Sequence, residues 1–308
     1  MYELDQESRS RLDVNPVSSA QANIRRLRTL APLPGTSQVL LQMLSDPDLD
    51  MLRLAGIIEQ TPALAARILG VANSAFFAQA MAVRDIPDAI IRVLGLNLVR
   101  DLSISFVLSQ PFDLGGCPRF DAMRYWTASM QSAVLAQLMV SRLPVVDSAT
   151  SSPSPAEAYL GGLLHKLGLL ALVHVAPDVM DAVFACIERD PSECLRSKEQ
   201  EMLGFDHVIA GAELAIVWRL PPLLAVAMSP PSARPLPQRH RALLSTLKLC
   251  SDIRRCVGAG ADPVEEPSVL YAWSELGLAS AAMPTVIGQW RDRSKEIDEM
   301  AAAFLGAK

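Results

Sequence analysis

The sequence predicts an all-α protein. Half of its residues are hydrophobic and only 5% are aromatic, and Ala and Leu, which dominate the composition, are strong helix formers. Apolar residues recur at spacings of three and four, and no segment shows sustained alternation with the period of two that marks a strand. These observations favour many closely packed helices around a substantial core.

The first helices are predicted between Pro32 and about Pro111, after a polar tail over residues 1–30. Their candidate N-caps are Thr36, Asp48, Thr61 and Asp85, because these residue types accept hydrogen bonds from the free amides of a first turn. Pro62 follows Thr61 at the first helical position, where a missing N–H does no harm. One continuous helix is predicted after Asp85, with residues 90, 94 and 98 in a stripe.

A second block of helices is predicted from about Asp121. Residues 126, 130, 134 and 138 recur at spacing four on one long helix. A Ser- and Pro-rich stretch over 144–157 predicts a mobile surface loop, and the helix that contains His165 follows it. Asp206 is the expected cap of a helix that runs to about Arg219. Further helices are predicted over 239–257 and, amphipathic and closing the chain, over 284–306.

Charge and cysteine content restrict the class of protein. A formal net charge of −5 argues against a protein built to bind nucleic acid. The five cysteines form no CxxC motif and are interpreted as reduced thiols of a cytoplasmic protein. The N-terminal residues 1–13 are polar and acidic, unlike a secretory signal. The apolar stretch 160–176 is short for a membrane span and is interrupted by His165 and Lys166, which favours a buried core helix.

Three stretches together resemble the HDOD family of bacterial signalling proteins, the HD-related output domains. They are 32-PLPGTSQVLLQMLSDPDLDMLRLAGIIEQTPALAARILGVANSAFF-77, 86-IPDAIIRVLGLNLVRDLSIS-105, and 161-GGLLHKLGLLAL-172 with 207-HVIAGAELAIVWRLPP-222. Ala31 stands where the family pattern LPxLP begins with Leu. The resemblance implies an N-terminal helical bundle, residues 31–115, packed on an HD-like helical domain, residues 116–308. The HDOD module would cover about 30–230 and a helical extension 231–308.

The resemblance also implies a degraded metal site. HD phosphohydrolases hold a divalent ion with a His, an adjacent His-Asp pair and a later Asp, and the ion activates water against phosphate. The first His would fall at Ala128, and the His-Asp pair falls on His165 and Lys166. His207 matches a later family histidine, and Asp252 roughly matches the last ligand. A lysine ammonium about 5 Å from a divalent ion would cost on the order of 6 kcal/mol at an effective dielectric constant near 20.

Two interpretations of this histidine cluster follow from the sequence. His165 is either a functional ligand or a neutral core histidine with a hydrogen-bonded ring, since buried polar groups are paired. A contact of His165 with His207 or Asp252 would then be a relic of the metal site. We expect Lys166 to lie on a helix surface or to pair with a carboxylate such as Glu157 or Glu213.

The family signature in the first block has its own alternatives. Asn73 and Ser74 either contact a ligand or partner or end the helix, with Asn73 left-handed and its side chain on free carbonyls. Arg67 either bonds helix ends within the N-terminal bundle or faces solvent. Trp126 and Trp218 are expected to be core anchors.

The function that this pattern predicts is a non-catalytic signal-transduction output or scaffold protein that needs no metal or cofactor. Its partner would be another protein of a bacterial signalling network, with a cyclic dinucleotide as the candidate small molecule and with no membrane. The alternatives are a metal-dependent phosphohydrolase of nucleotides that uses His165, His207 and Asp252, and a metal-free nucleotide-binding sensor.

Overall fold

The protein folds as a stack of helices, and the described part of the chain contains no strand. The computed structural model describes residues 24–25, 27–28, 30, 33–46, 48–74, 77, 81–144, 152–190, 193–230 and 237–306. The all-α prediction is therefore confirmed. Most of the predicted N-terminal tail, and residues 145–151 of the predicted loop, lie outside the described residues.

The described part of the N-terminal bundle, residues 31–115, contains five helices and a π-helical segment. They are α1 (Gly35–Leu44), α2 (Met51–Glu59), α3 (Pro62–Ala72), α4 (Ile86–Asp88), the π segment (Ala89–Leu94) and α5 (Gly95–Ser109). Helix α5 packs against α1 and α3. The core of this bundle is built from buried Leu, Ile and Val side chains such as Leu54, Ile58, Leu64, Ile68 and Leu102.

The remaining described helices fall within the residues expected to form the second domain and the C-terminal extension. They are α6 (Ala122–Val140), α7 (Pro155–Leu164), α8 (Leu167–Val175), α9 (Pro177–Arg189), α10 (Leu195–Leu203), α11 (His207–Val217), α12 (Pro222–Ala227), α13 (Gln238–Gly258), α14 (Pro267–Glu275), α15 (Met283–Asp292) and α16 (Ser294–Leu305). Helix α6 is central, because α7, α13, α15 and α16 all pack on it. Trp126 on α6 and Trp218 after α11 are both buried.

Two predicted N-caps were wrong by two residues each. Helix α1 begins at Gly35 with Pro34 as its N-cap, so Thr36 lies inside the helix. Helix α2 is capped by Asp50, whose carboxylate accepts from Arg53 N at 2.8 Å. Asp48 does not cap because the side chain of Asp46 closes a turn on the Asp48 amide.

Two helices predicted as continuous are interrupted. The helix after Asp85 changes to π-helical hydrogen bonding over Ala89–Leu94 and restarts at Gly95, whose φ of 75° disfavours any residue with a Cβ. The closing helix is divided at Arg293 into α15 and α16. Helix α16 then reaches back across α6 to α3, which ties the extension to the N-terminal bundle.

In the described chain, the helices that are long and apolar enough to cross a membrane are core helices. By length and composition one stretch, Pro155–Val175, could cross a bilayer, and 78% of its apolar window is buried inside the fold. The pair α2 and α3 passes the same test only if it is counted as one span, and it is bent by 118°. Burial of this kind is typical of core helices.

Candidate functional site

His165 and Lys166 lie at a break between α7 and α8. His165 ends α7, its amide still bonded to Gly161 O at 2.8 Å, and Lys166 precedes the first residue of α8. Gly168 in the first turn of α8 lets this helix press against α11, since a Cβ there would lie 2.0 Å from His207 O. The break therefore sets His165 and Lys166 beside the start of α11.

The imidazole of His165 is neutral and fully engaged. Its Nδ1 lies 2.8 Å from Gly162 O, which can only accept, so Nδ1 carries the proton. Its Nε2 lies 3.4 Å from the hydroxyl of Ser251 on α13. Burial holds the pKa of His165 well below its usual value, and the neighbouring charges of Lys166, His207 and Arg254 lower it further. This geometry matches the interpretation of a hydrogen-bonded core histidine.

Lys166 is half-buried, and its predicted pairing was wrong. Glu157 bonds Arg239 and caps α7, while Glu213 binds Arg28. No carboxylate among the described residues lies within ion-pair distance of the Lys166 ammonium. Burial lowers the pKa of Lys166 to about 7; the nearby Arg254 adds to this and the Glu199 carboxylate opposes it. Lys166 therefore lies at the degraded metal site, here called the vestigial site, and burial there disfavours the charged form of its side chain.

His207 is held by Glu199, which sequence reasoning missed. The Glu199 carboxylate, fully buried on α10, accepts from His207 N at 3.0 Å and lies 2.6 Å from His207 Nδ1. Its other oxygen, Oε1, has no hydrogen-bond partner among the described residues. The signal was present in the sequence, because Glu199 lies midway between Leu195 and Leu203 at the spacing of four that marks one helical face.

Asp252 does not join the site, which corrects its match to the last HD ligand. Its carboxylate bonds Lys248 and Arg255 at 2.8 and 2.9 Å along the outer side of α13. Successive residues of a helix point about 100° apart, and it is Ser251 that faces His165. Arg254 is also turned inward, where burial lowers its pKa to about 10 and its Nε donates to Gln131 at 3.2 Å.

The residues present do not fit a metal ion. Ala128 on α6 offers no ligand atom at the first position, and Lys166 and Arg254 bring positive charge to the others. Each imidazole uses its Nδ1 for Gly162 O or Glu199, which leaves Nε2 for other contacts, and Nε2 of His165 faces the Ser251 hydroxyl at 3.4 Å. Within the described ranges, no group of three or more His, Cys, Asp or Glu residues could hold a metal. We therefore derive no metal-dependent step.

The family-signature residues of α3 perform local structural tasks. Asn73 donates to Leu69 O and Val83 O at 2.9 Å and accepts from Val83 N at 2.7 Å, which fastens the chain after α3 back to the helix end. Its φ of −95° shows that the expected left-handed conformation was wrong. Ser74 bonds Val71 O, and Pro62 occupies the first position of α3.

Arg67 reaches across the molecule instead of ending a helix of its own bundle. Its guanidinium donates to Phe304 O at the C-terminus of α16, at 2.6 Å. Both sequence-based alternatives, a bond within the N-terminal bundle and a solvent-facing side chain, were therefore wrong. Arg67 and Phe304 are 237 residues apart, so the spacing of residues near Arg67 could not predict this contact.

The fold and the site define a class of protein: an all-helical HD-like domain whose metal ligands are incomplete. The HDOD domain family matches residues 30–230. This chain belongs to the HDOD family, which confirms the resemblance drawn from its motifs.

Comparison with known structures and sequences agrees with this assignment. The fold is similar to that of a protein from Marinobacter aquaeolei VT8, provisionally named as a signal transduction protein, with a TM-score of 0.76 and 26% identity over 94% of this chain and 66% of that one. A provisionally named phosphohydrolase from Shewanella amazonensis SB2B shares the fold with a TM-score of 0.70 and 24% identity over 92% and 98% of the two chains. An uncharacterized protein of Treponema pallidum (strain Nichols) is 23% identical over 246 residues, 78% of this chain, which spans 45% of that relative.

Proposed function

We propose that this HDOD protein is a non-catalytic output or scaffold component of bacterial signal transduction, acting in the cytoplasm through a protein partner. The observation that carries the proposal is Lys166, a lysine at the position where the HD pattern requires a metal-binding carboxylate. Glu199, which brings a buried negative charge to the same region, is committed to His207. The similarity to a provisionally named signal transduction protein supports the signalling role.

The competing function is a metal-dependent phosphohydrolase that uses the same residues. Such chemistry needs open coordination positions and a carboxylate-rich shell. Here Nε2 of His165 faces a serine hydroxyl, and the inward positions around it carry Lys166 and Arg254. A cyclic dinucleotide bound without metal is a further alternative, which the same experiment addresses.

Metal content and turnover of the purified full chain test the proposal. The protein would be incubated with Mn²⁺, desalted and assayed for bound metal, and for hydrolysis of nucleoside triphosphates and cyclic dinucleotides. We expect well under one ion per chain and no turnover. One ion per chain together with turnover that His165→Ala abolishes would establish the phosphohydrolase instead, and heat of cyclic dinucleotide binding in metal-free buffer would establish the sensor.

Partner binding is tested by crosslinking in the native cell, capture, and reconstitution of the complex from purified components. Lys166→Met is the matched variant, because it removes the ammonium group and keeps an unbranched side chain of nearly the same length. We expect wild type and variant to form the same stoichiometric complex, since a scaffold does not need the vestigial site. Binding that requires Lys166, or requires an added nucleotide, would contradict the proposal.

A further inference from the structure

A second site lies away from the histidine cluster, in a cleft between the two bundles. The cleft has a volume of about 460 Å³, within the range of small-molecule sites, which occur preferentially where domains meet. Its walls come from the end of the π segment, from α5, α6 and α7, and from Arg293 and α16 near the C-terminus. Leu94, Val134 and Met300 give it an apolar lining.

One oxygen of a buried carboxylate in this wall has no hydrogen-bond partner among the described residues. Asp101 on α5 is only 2% exposed, and no described group donates to its Oδ1. The nearest cation, Nε of Arg100, is 3.6 Å away. Burial raises the pKa of Asp101 to about 7, against the opposing effect of Arg100. Native proteins rarely leave such a group unpaired unless it has a task.

A second orphaned group faces the same cleft from α7. The hydroxyl of Tyr159 is buried and likewise has no hydrogen-bond partner in the described chain. Burial raises the pKa of Tyr159, and so does the nearby Asp101 carboxylate. Two polar atoms without a hydrogen-bond partner among the described residues, Oδ1 of Asp101 and the Tyr159 hydroxyl, therefore belong to residues that line the same cleft.

The rim of the cleft carries unusual backbone. Leu94 ends the π segment, and Gly95 adopts φ 75° and ψ 161°, a conformation available essentially to Gly alone. A Cβ on Gly95 would meet no atom within 4 Å, so it is this backbone conformation, and not a neighbouring group, that requires the glycine. π-Helical turns and strained residues concentrate at functional sites, and here both lie at the cleft.

Acidic and basic groups lie at different ends of the cleft. Asp101 and Tyr159 lie on its buried wall, whereas Arg293, exposed at the break between α15 and α16, lies at its mouth. Among the described residues no carboxylate binds the Arg293 guanidinium. Asn97 and Gln137 add amide groups along the wall. A ligand that matches this order has a donor at one end and an anion at the other.

We propose that this cleft binds a small metabolite that presents an N–H donor group to Asp101 and Tyr159 and an anionic group to Arg293. Amino acids with a cationic side chain and guanine nucleotides share this chemistry, because a guanidinium or a guanine edge donates to a carboxylate while a carboxylate or phosphate binds Arg. The site does not depend on the scaffold function proposed above, and it would give that function a chemical input.

Calorimetry on the full chain, without any partner protein, tests this site with four probes. L-Arginine and guanosine monophosphate carry both groups, whereas agmatine and guanosine lack the anion. We expect one of the first pair to bind and its anion-free counterpart to bind about tenfold more weakly or worse. Which pair responds identifies the source of the ligand.

Three variants locate the binding. Asp101→Asn keeps the shape of the side chain, Tyr159→Phe removes only the hydroxyl, and Arg293→Met removes the charge at the mouth. We expect each to weaken the responding probe by about tenfold or more, with thermal melting showing that the variants fold. Lys295→Met, exposed two residues from Arg293 and outside the cleft lining, is the matched control and should bind as wild type does.

No binding of any probe at about 10 mM, or binding that is unchanged in both Asp101→Asn and Tyr159→Phe, would overturn the proposal. A crystal structure in which ordered water alone satisfies Asp101 and Tyr159 in the presence of the probes would do the same. Neither result bears on the metal and turnover assays, so a failure here is distinguishable from a failure of the scaffold function.

Discussion

The guanidinium of Arg67 donates a 2.6 Å hydrogen bond to the carbonyl oxygen of Phe304, 237 positions further along the chain. The bond satisfies a carbonyl at the C-terminus of α16, where intrahelical partners run out. The Phe304 ring meets Trp126 edge-on at 4.7 Å, so the same residue also packs on α6. The C-terminal helix thereby connects α3 of the N-terminal bundle to the second domain.

Arg67→Met should destabilise the whole fold, because it leaves the Phe304 carbonyl unpaired in a half-buried position. We expect a loss of about 1–3 kcal/mol in the free energy of unfolding, measured by urea denaturation. Arg53→Met is the control, since it removes only an exposed ion pair with Asp46 and should cost under about 1 kcal/mol. Equal losses in the two variants would show that the bond between Arg67 and Phe304 stabilises the fold no more than an exposed ion pair does.

Asp101 should make the protein less stable as the pH rises from about 4 to 7. Its pKa is raised from 3.8 to about 7, so within this window the folded chain keeps a proton that the unfolded chain has released, and stability falls. Asp101→Asn lacks this titration and should gain about 2–4 kcal/mol over wild type between pH 4 and pH 7. Urea denaturation across this range measures the difference.

The control for that series is Asp178→Asn, an exposed carboxylate in the first turn of α9. Its stability is measured over the same pH range, and the change seen for Asp101→Asn is compared with it. A difference between wild type and Asp101→Asn that does not change with pH would contradict the burial of this carboxylate.

Lys166 has the opposite effect to Asp101, since it should make the protein more stable as the pH rises. Its pKa is lowered from 10.5 to about 7, so the unfolded chain binds the additional proton and wild-type stability rises between about pH 7 and pH 10.5. Lys166→Met should therefore exceed wild type by about 1–3 kcal/mol at pH 6, a value discounted for partial exposure. The advantage should shrink by pH 9 in thermal or urea unfolding, and an advantage independent of pH would contradict the prediction.

The sequence contained most of the fold and only part of the site. Helical spacing and the HDOD motifs predicted the all-α architecture and placed His165, Lys166 and His207 together. The spacing did not reveal which face of α13 is turned inward, and a rotation of one residue exchanges Asp252 for Ser251. Glu199 was overlooked because the polar residues around it hide its inward position.

The breaks in the helices were the least predictable feature. Residues 90, 94 and 98 keep a helical stripe through Gly95, so apolar periodicity alone favours one helix. The change to π-helical bonding and the positive φ of Gly95 leave no mark on this apolar periodicity. For the same reason the contact between Arg67 and Phe304 could not be read from residues near Arg67.

Restoring carboxylates tests which residue of α13 occupies the last ligand position. Ser251 faces His165 Nε2 at 3.4 Å and Asp252 faces outward. Lys166→Asp alone should bind Mn²⁺ weakly, and adding Ser251→Asp should tighten binding by about tenfold or more, measured by calorimetry. Adding Asp252→Asn to Lys166→Asp should change nothing. Weaker binding in that control would return Asp252 to the site.

Two Gly→Ala substitutions distinguish the effect on stability of a close contact between helices from the effect of helix propensity. A Cβ on Gly168 would lie 2.0 Å from His207 O and 2.4 Å from Gly211 N, both backbone atoms that cannot move without separating α8 from α11. Gly168→Ala should therefore cost about 1–3 kcal/mol or more in urea denaturation and disturb the bond between Glu199 and His207. Gly288, inside α15 with no atom within 4 Å of its Cβ position, is the control: Gly288→Ala should stabilise by about 0.5–1 kcal/mol. A tolerated Gly168→Ala would mean that α8 and α11 do not approach as closely as the geometry of the vestigial site requires.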